Sequence, residues 1–411
     1  MNTSVPLNIG GDLNSGPLSP FVGRYVALVR GQGYKPTSIR YQLLLIAALN
    51  RWLERTRRRA EDVDERIIGR FLRQRLRQGR THQGERSILH RFCSLLPMAR
   101  CATKCGPPLS SERTARIVEP YRQYLLQERG LAVHTAYAYT RWADQFLLSR
   151  FRKQPMRLRA LTGRDLTVFV QRSAPRCGRG GGIHLVAALR SFCRFLRYSG
   201  HSDANLEAGV PPVAHWALAD VPKHLSAEEV EKALAACDRD TGLGRRDYAI
   251  LLLLARLGLR GGEVLGMTLE DIDWDTGTIT IPVTKNRRGA RLPLPGDAGK
   301  AIAEYLRRDR PRCDCRRVFL RVKAPHAGLS SSPVISMIVA KALRRAGVQS
   351  ARTGAHVFRH SFATTMLGRG ASLGEIGQLL RHNNPKTTAI YAKVDVETLR
   401  SIAPRWPGGA K

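Results

Sequence analysis

Acidic side chains are scarce in this chain of 411 residues, where 33 Asp and Glu stand against 68 Lys and Arg and leave a formal net charge of +35. A field of that sign excludes basic partners and gathers polyanions over a Debye length or more. The shortage is not confined to a tail. Residues 1–110 hold 19 basic and 7 acidic side chains, residues 111–221 hold 17 and 8, and residues 222–411 hold 32 and 18, giving nets of +12, +9 and +14. Every part is basic, as suits a protein that wraps a long polyanion, so nucleic acid is the implied partner. Packing proteins share this signature, and charge alone does not make an enzyme.

Long apolar runs are missing too. The longest, "YAILLLLA" at 248–255, is stopped by Arg256 and is far too short to cross a bilayer, so it reads as a buried helix and no membrane partner is expected. The opening "MNTSVPLNIGGD" has neither the basic nor the apolar part of a signal peptide. The expectation is a cytoplasmic chain with its eight cysteines reduced. Zinc spacing is absent as well: Cys101/Cys105 and Cys313/Cys315 lack the two-residue gap of a knuckle and have no second pair nearby.

What is present is enough apolar content, 43%, and enough length for two or three domains. Two stretches resemble each other, one starting at Phe21 and one at Tyr121, and "HRFCSLL" and "RSFCRFL" place Phe92-Cys93 and Phe192-Cys193 at the same offset of one hundred. A duplicated helical unit follows, with Thr37 and Thr135 expected as N-caps. The Gly run "GRGGG" at 178–182 has no Lys-Ser/Thr pair after it, so it reads as an interhelical loop and not a phosphate loop. Small residues and Pro from 200 to 226 mark a linker. These breaks predict domains at 15–105, 112–204 and 222–400, and a tail at 401–411.

The last segment opens with Ser226 and Glu229 at capping-box spacing. "GTITIPV" (277–283), "ARLPLP" (290–295) and "VFLRV" (318–322) read as strands, the first two joined as a hairpin, with helices resuming near Ser332. The fold class is therefore mainly α: helical N-terminal domains, then a mostly helical domain with a small antiparallel β-sheet.

Chemistry gathers in that last segment. In "GAHVFRHSFATTML", His356 and Arg359 share one helical face near an N-terminus, where backbone donors favour an anion. His356 and His360 have the four-residue spacing of a zinc-protease helix, but Val357 stands where that motif needs Glu, so the metal-hydrolase reading fails. Arg260 follows a helix ending at Gly258. Glu263 lies one turn on and reads either as a partner orienting Arg260 or as an exposed helix carboxylate. Lys285 sits where a strand enters the hairpin, and "SLGEIGQLLRHNNP" is a capped helix with Leu373, Ile376 and Leu380 inward, delivering His382. Asn384-Pro385 then starts the helix that carries Tyr391.

Across roughly 222–400 the chain resembles the tyrosine recombinase (phage integrase) family. The family's "GLRxxE" is met by Gly258-Leu259-Arg260 with Glu263, its hairpin Lys by Lys285, its "HxxRH" by His356, Arg359 and His360, and its late His and Tyr by His382 and Tyr391. Arg381 stands where the family usually has Gly, and Gly262 where Ser is common. Residues 112–204 resemble the family's core-binding domain, and 15–105 looks like a second copy.

The resemblance implies a site-specific recombinase that cleaves DNA through a 3′-phosphotyrosyl intermediate and serves a mobile element. Tyr391 would be the nucleophile, Arg260, Arg359 and His382 donors to the transition state, Lys285 the general acid and His356 the base. It implies no metal, ATP or other cofactor. The partners would be two DNA sites joined by a homo-tetramer, with or without partner recombinases, and a tail docked on a neighbouring subunit. Two rivals stay open: relaxation of supercoils by a type IB topoisomerase-like reaction, and DNA binding without catalysis.

Overall fold

The computed structural model describes residues 13, 15–79, 82, 84–97, 112–152, 154–214, 223–282, 289–329 and 332–393. Lys285, the Cys101/Cys105 pair, the hairpin tip and the tail beyond 393 lie outside the described residues. Among the described residues, no helix is long and apolar enough to cross a membrane.

The described chain is mainly α-helical and divides into two compact units. One gathers the described residues of Met1–Ala60, Arg73–Leu96 and Leu218–Lys411; the other those of Glu61–Leu72 and Pro97–Ala217. The first thus joins N-terminal helices α1 (Ser19–Gly31), α2 (Pro36–Arg55), the end of α3 (Glu65–Arg77) and α4 (Glu85–Cys93) with the C-terminal half. The backbone N–H of His326 donates to Gln32 O at 2.9 Å across that join.

The second unit is built on α5 (Glu112–Gln123), α6 (Val133–Phe151), α7 (Gly163–Ser173) and α8 (Gly178–Tyr198). Its core holds Tyr121, Phe146, Phe169, Leu185 and Phe192. Thr162 and Asp165 close a capping box at the start of α7. An edge-to-face pair marks both helical sets: Tyr25 on Phe92 with ring centroids 5.3 Å apart, and Tyr121 on Phe192 at 5.1 Å.

Three local expectations change. Neither Thr37 nor Thr135 is a cap: Pro36 is the first residue of α2, where its fixed φ starts the helix two residues earlier, and α6 starts at Val133. The Gly run at 178–182 is the opening of α8, because the stripe through Leu185, Leu189, Phe192 and Leu196 buries that helix and outweighs weak glycine propensity.

The third change concerns the sheet. Strands β1 (Ile272–Asp273), β2 (Thr278–Ile281) and β3 (Ala290–Pro293) form an antiparallel sheet in that order, with Ile281 opposite Ala290 at the hairpin. "VFLRV" is not one of them. Val318, Phe319 and Leu320 are buried in succession, without the alternation of a strand, and of the three Leu320 alone enters a β-bridge, an isolated one to Gly328.

The same half holds α9 (Ala227–Ala235), α10 (Gly242–Leu257), α11 (Gly261–Gly266), α12 (Gly296–Arg308), α13 (Ser332–Arg345), α14 (Ala355–Gly368) and α15 (Leu373–Leu379). Helix α12 is unforeseen: Ala298, Ala301, Ile302 and Tyr305 have helical spacing, but two glycines in its first turn hide it. The expected centre is there: Ala249 through Leu254 are fully buried in α10. Ser226 and Glu229 cap α9 reciprocally, as do Ser372 and Glu375 on α15.

Candidate active site

Helix α10 ends on Gly258, whose φ of +57° suits a left-handed C-cap. A Cβ there would lie 2.8 Å from Phe362 and 2.9 Å from Leu380, so only glycine lets these segments close. Two residues later Arg260 is the N-cap of α11, and Glu263 reaches back to it. Glu263 Oε2 accepts the backbone N–H of Arg260 at 2.8 Å, and Oε1 accepts its Nη1 at 2.9 Å. Glu263 is therefore not an exposed helix carboxylate: its side chain is only 8% exposed and is bonded to Arg260.

Arg359, in the second turn of α14, is buried. Its Nη1 donates to Gly258 O at 2.5 Å, and its Nη2 donates to Leu380 O. One guanidinium thus ties the end of α10 to the end of α15, the two segments that carry Arg260 and His382. Burial lowers its proton affinity, and the charges of Arg260 and Arg381 add to this against the pull of Glu263. It stays a cation at neutral pH.

His382 follows α15 and its Nδ1 lies 2.8 Å from Thr388 Oγ1, which fixes the ring. Burial, then the charges of Arg359, Arg260 and Arg381, pull its pKa down to about 4. Arg381, beside it, has a φ of +54° and is buried. Its Nη2 donates to Glu263 Oε2 at 2.8 Å, and its carbonyl accepts Arg260 Nη2 at 3.4 Å. Burial works against charge on Glu263, but the hydrogen bonds of Arg260 and the charge of Arg381 prevail and hold its carboxyl below the usual range.

Tyr391 rides on a second 3-10 turn (Ala389–Lys393) after a first (Pro385–Thr387), where an α-helix was expected. Asn384 caps the first as foreseen, its side chain accepting Lys386 N–H at 3.0 Å. The phenol is 1% exposed, packed with Ala363, Ile376 and Leu380. Burial pushes its pKa up to about 12, with Arg359 and Arg260 pulling the other way.

The ring nitrogen bonded to the phenol oxygen belongs to His360, at 2.9 Å. His356 sits one turn back on the exposed face of α14, its ring centroid 6.4 Å from that of His360. Burial and the charges of His356 and Arg359 lower the His360 pKa to about 4. Against a phenol near 12, such an imidazole is a weak base, so the bond tethers the phenol and keeps it neutral. Arg260, Arg359, His360, His382 and Tyr391 are thus brought together, and Glu263 supports them.

Thr388 and the carbonyls of Gly258 and Leu380 escaped the sequence reading. Thr388 had a faint signal, a hydroxyl one 3-10 turn after the Asn384 cap; the carbonyls had none, since any residue supplies one.

Residues 223–398 match the family model described as the phage integrase family. The chain is 38% identical over 396 residues to "Putative integrase/recombinase y4rA" of Sinorhizobium fredii, covering 96% of both chains. It is 29% identical over 297 residues to the tyrosine recombinase XerD of Listeria monocytogenes, covering 70% of this chain and 96% of that one. Among solved structures, the XerH site-specific recombinase bound to palindromic difH substrate, a post-cleavage complex, has the same fold. Its TM-score is 0.57 at 20% identity, covering 70% of this chain and 84% of that one.

Proposed function

We propose an assignment of chemistry for a chain that belongs to the phage integrase family of tyrosine recombinases, with Tyr391 as the nucleophile and Arg260, Arg359 and His382 as the groups that hold the scissile phosphate. The protein is a site-specific tyrosine recombinase, an enzyme that cleaves and rejoins DNA through a tyrosine intermediate.

The phenol oxygen forms a bond to phosphorus as the bond to the 5′ oxygen breaks, leaving a 3′-phosphotyrosyl link and a free 5′ hydroxyl. The bond energy is kept, because a second 5′ hydroxyl can reverse the step on a partner strand. Extra negative charge grows on the nonbridging oxygens, and fixed donors there lower the barrier. Lys285 protonates the leaving 5′ oxygen; His356 takes the phenol proton once Tyr391 has turned out of its pocket. Seating DNA has to drive that turn, since a buried phenol reaches no phosphate. Near a phosphate, Arg260 and Arg359 favour the phenolate.

The observation that carries this reading is the double reach of Arg359, which spans 101 residues to Gly258 O and 21 to Leu380 O, and so joins the segments bearing Arg260 and His382. Double-stranded DNA is the partner, held by a chain basic throughout. Residues 15–105 and 112–204 act as helical DNA-binding units, 222–400 as the catalytic domain, and four copies act on two sites for a mobile element in the cytoplasm. A duplex nicked beside the cleavage point tests the core of this. The parent chain is expected to accumulate a covalent protein–DNA product and Tyr391→Phe none; product from the Phe variant contradicts it.

A further inference from the structure

We propose that Arg381 is a positioning residue for the cleavage step, acting through Glu263 to aim the Arg260 guanidinium. This rests on the assignment of Arg260 to the phosphate made above.

The backbone at 381 is left-handed, with φ +54°, a conformation that glycine takes freely and an arginine takes under strain. The position nevertheless holds the longest cationic side chain, and it is buried: 2% of the side chain is exposed. Two contacts show what it does there. Nη2 donates to Glu263 Oε2 at 2.8 Å, and Nη1 donates to Leu379 O at 3.1 Å. Its Nε is buried with no acceptor among the described residues, so the side chain is set to serve its Nη contacts at the expense of its own third donor.

Glu263 is where these contacts matter. Its two oxygens take three donors: the backbone N–H of Arg260, Nη1 of Arg260 and Nη2 of Arg381. Without Arg381 the carboxylate would answer to Arg260 alone and could swing with it. With Arg381 its Oε2 is also pinned by a residue 118 positions away in sequence. The backbone repeats the link, since Arg260 Nη2 donates to Arg381 O at 3.4 Å. Arg260 and His382 are therefore held in register by one neighbour, residue 381. A guanidinium free to rock would meet the phosphate oxygens in fewer of its orientations, and the rate of cleavage would fall while binding of duplex DNA would not.

The test is single-turnover cleavage of the nicked duplex, with DNA affinity measured separately, for Arg381→Gly, Arg381→Met, Glu263→Gln and the double variant Glu263→Gln/Arg381→Gly. Glycine suits the left-handed backbone, so Arg381→Gly keeps the fold; Arg381→Met keeps the bulk without the donor. Both are expected to slow cleavage about tenfold or more with Kd for DNA unchanged. The double variant should be no slower than Glu263→Gln alone, because Arg381 has then lost the group it works through. Parent-like cleavage by Arg381→Gly, a matching loss of DNA affinity, or rate losses that multiply in the double variant would overturn the proposal. Tyr391→Phe is run beside them. If it forms the covalent product, the assignment of the nucleophile fails; if it does not while Arg381→Gly cleaves normally, only the role of Arg381 fails.

Discussion

The two sides of the site are held by opposite means. On the side proposed to hold the phosphate, Arg260, Arg359, Arg381 and His382 are fixed by hydrogen bonds to a carboxylate, carbonyls and a hydroxyl. On the side of the proposed nucleophile, Tyr391 is fixed by apolar packing against Ala363, Ile376 and Leu380, with one bond to His360. Directional bonds prepare a cradle whose geometry does not have to change when a phosphate arrives. Packing is non-directional, and a single ring can leave it at moderate cost. On the proposed roles, the cradle would be built in advance and the nucleophile withheld until DNA is in place.

Substitutions can break this contrast. Arg359→Ala has the largest expected effect: cleavage slows by roughly 100- to 1,000-fold, as for loss of one transition-state donor. The carbonyls of Gly258 and Leu380 also lose their buried donor, at about 1–3 kcal/mol each, so thermal unfolding moves down as well. Arg260→Ala should slow cleavage over the same range of roughly 100- to 1,000-fold. Its melting temperature should fall less, because its side chain is 18% exposed where Arg359 is buried, and Glu263 keeps the backbone N–H of residue 260 and Arg381. If the two variants melt alike, the cradle is not anchored by Arg359.

Ile376→Ala sharpens the other side. It removes packing behind the phenol and should cost about 2–5 kcal/mol of stability in urea unfolding. Cleavage by the folded fraction is expected to hold or rise, since the ring is freed, not removed. A rate that collapses with stability would mean that the pocket aims the phenol and does not store it.

The smallest effect concerns pH. His360 and His382 have pKa values pulled down to about 4, against about 6.5 in an unfolded chain. Between those values the unfolded chain binds protons that the folded one excludes, so stability is full above about pH 6.5 and falls as pH drops toward 4. Melting temperature should decline across that window, and His360→Gln should flatten part of the slope. An unchanged slope would show that His360 is not held neutral by its surroundings.

Legibility in the sequence follows how local each interaction is. Ser226 with Glu229 and Ser372 with Glu375 are partners three residues apart on a helix start, and spacing exposes them; Arg260 with Glu263 has the same spacing, which by itself leaves Glu263 either a partner or an exposed carboxylate. His360 meets Tyr391 across 31 residues and Arg381 meets Glu263 across 118; nothing in the linear order marks such pairs. Arg381 read as a departure from a familiar pattern, and only the left-handed backbone and the carboxylate opposite give it a purpose. The same limit governs the fold. The buried run of α10 was plain, but "VFLRV" is apolar enough for a strand and is claimed by the core as a loop, since short apolar runs carry no period of their own.

Peptide mapping of the trapped protein–DNA product is the most direct measurement of the central claim, that one phenol and one cationic cradle act on a single phosphorus. The mapped remnant should sit on Tyr391, joined through a 3′ phosphate, with a free 5′ hydroxyl on the released strand. Attachment to any other side chain, or through a 5′ phosphate, would contradict the account.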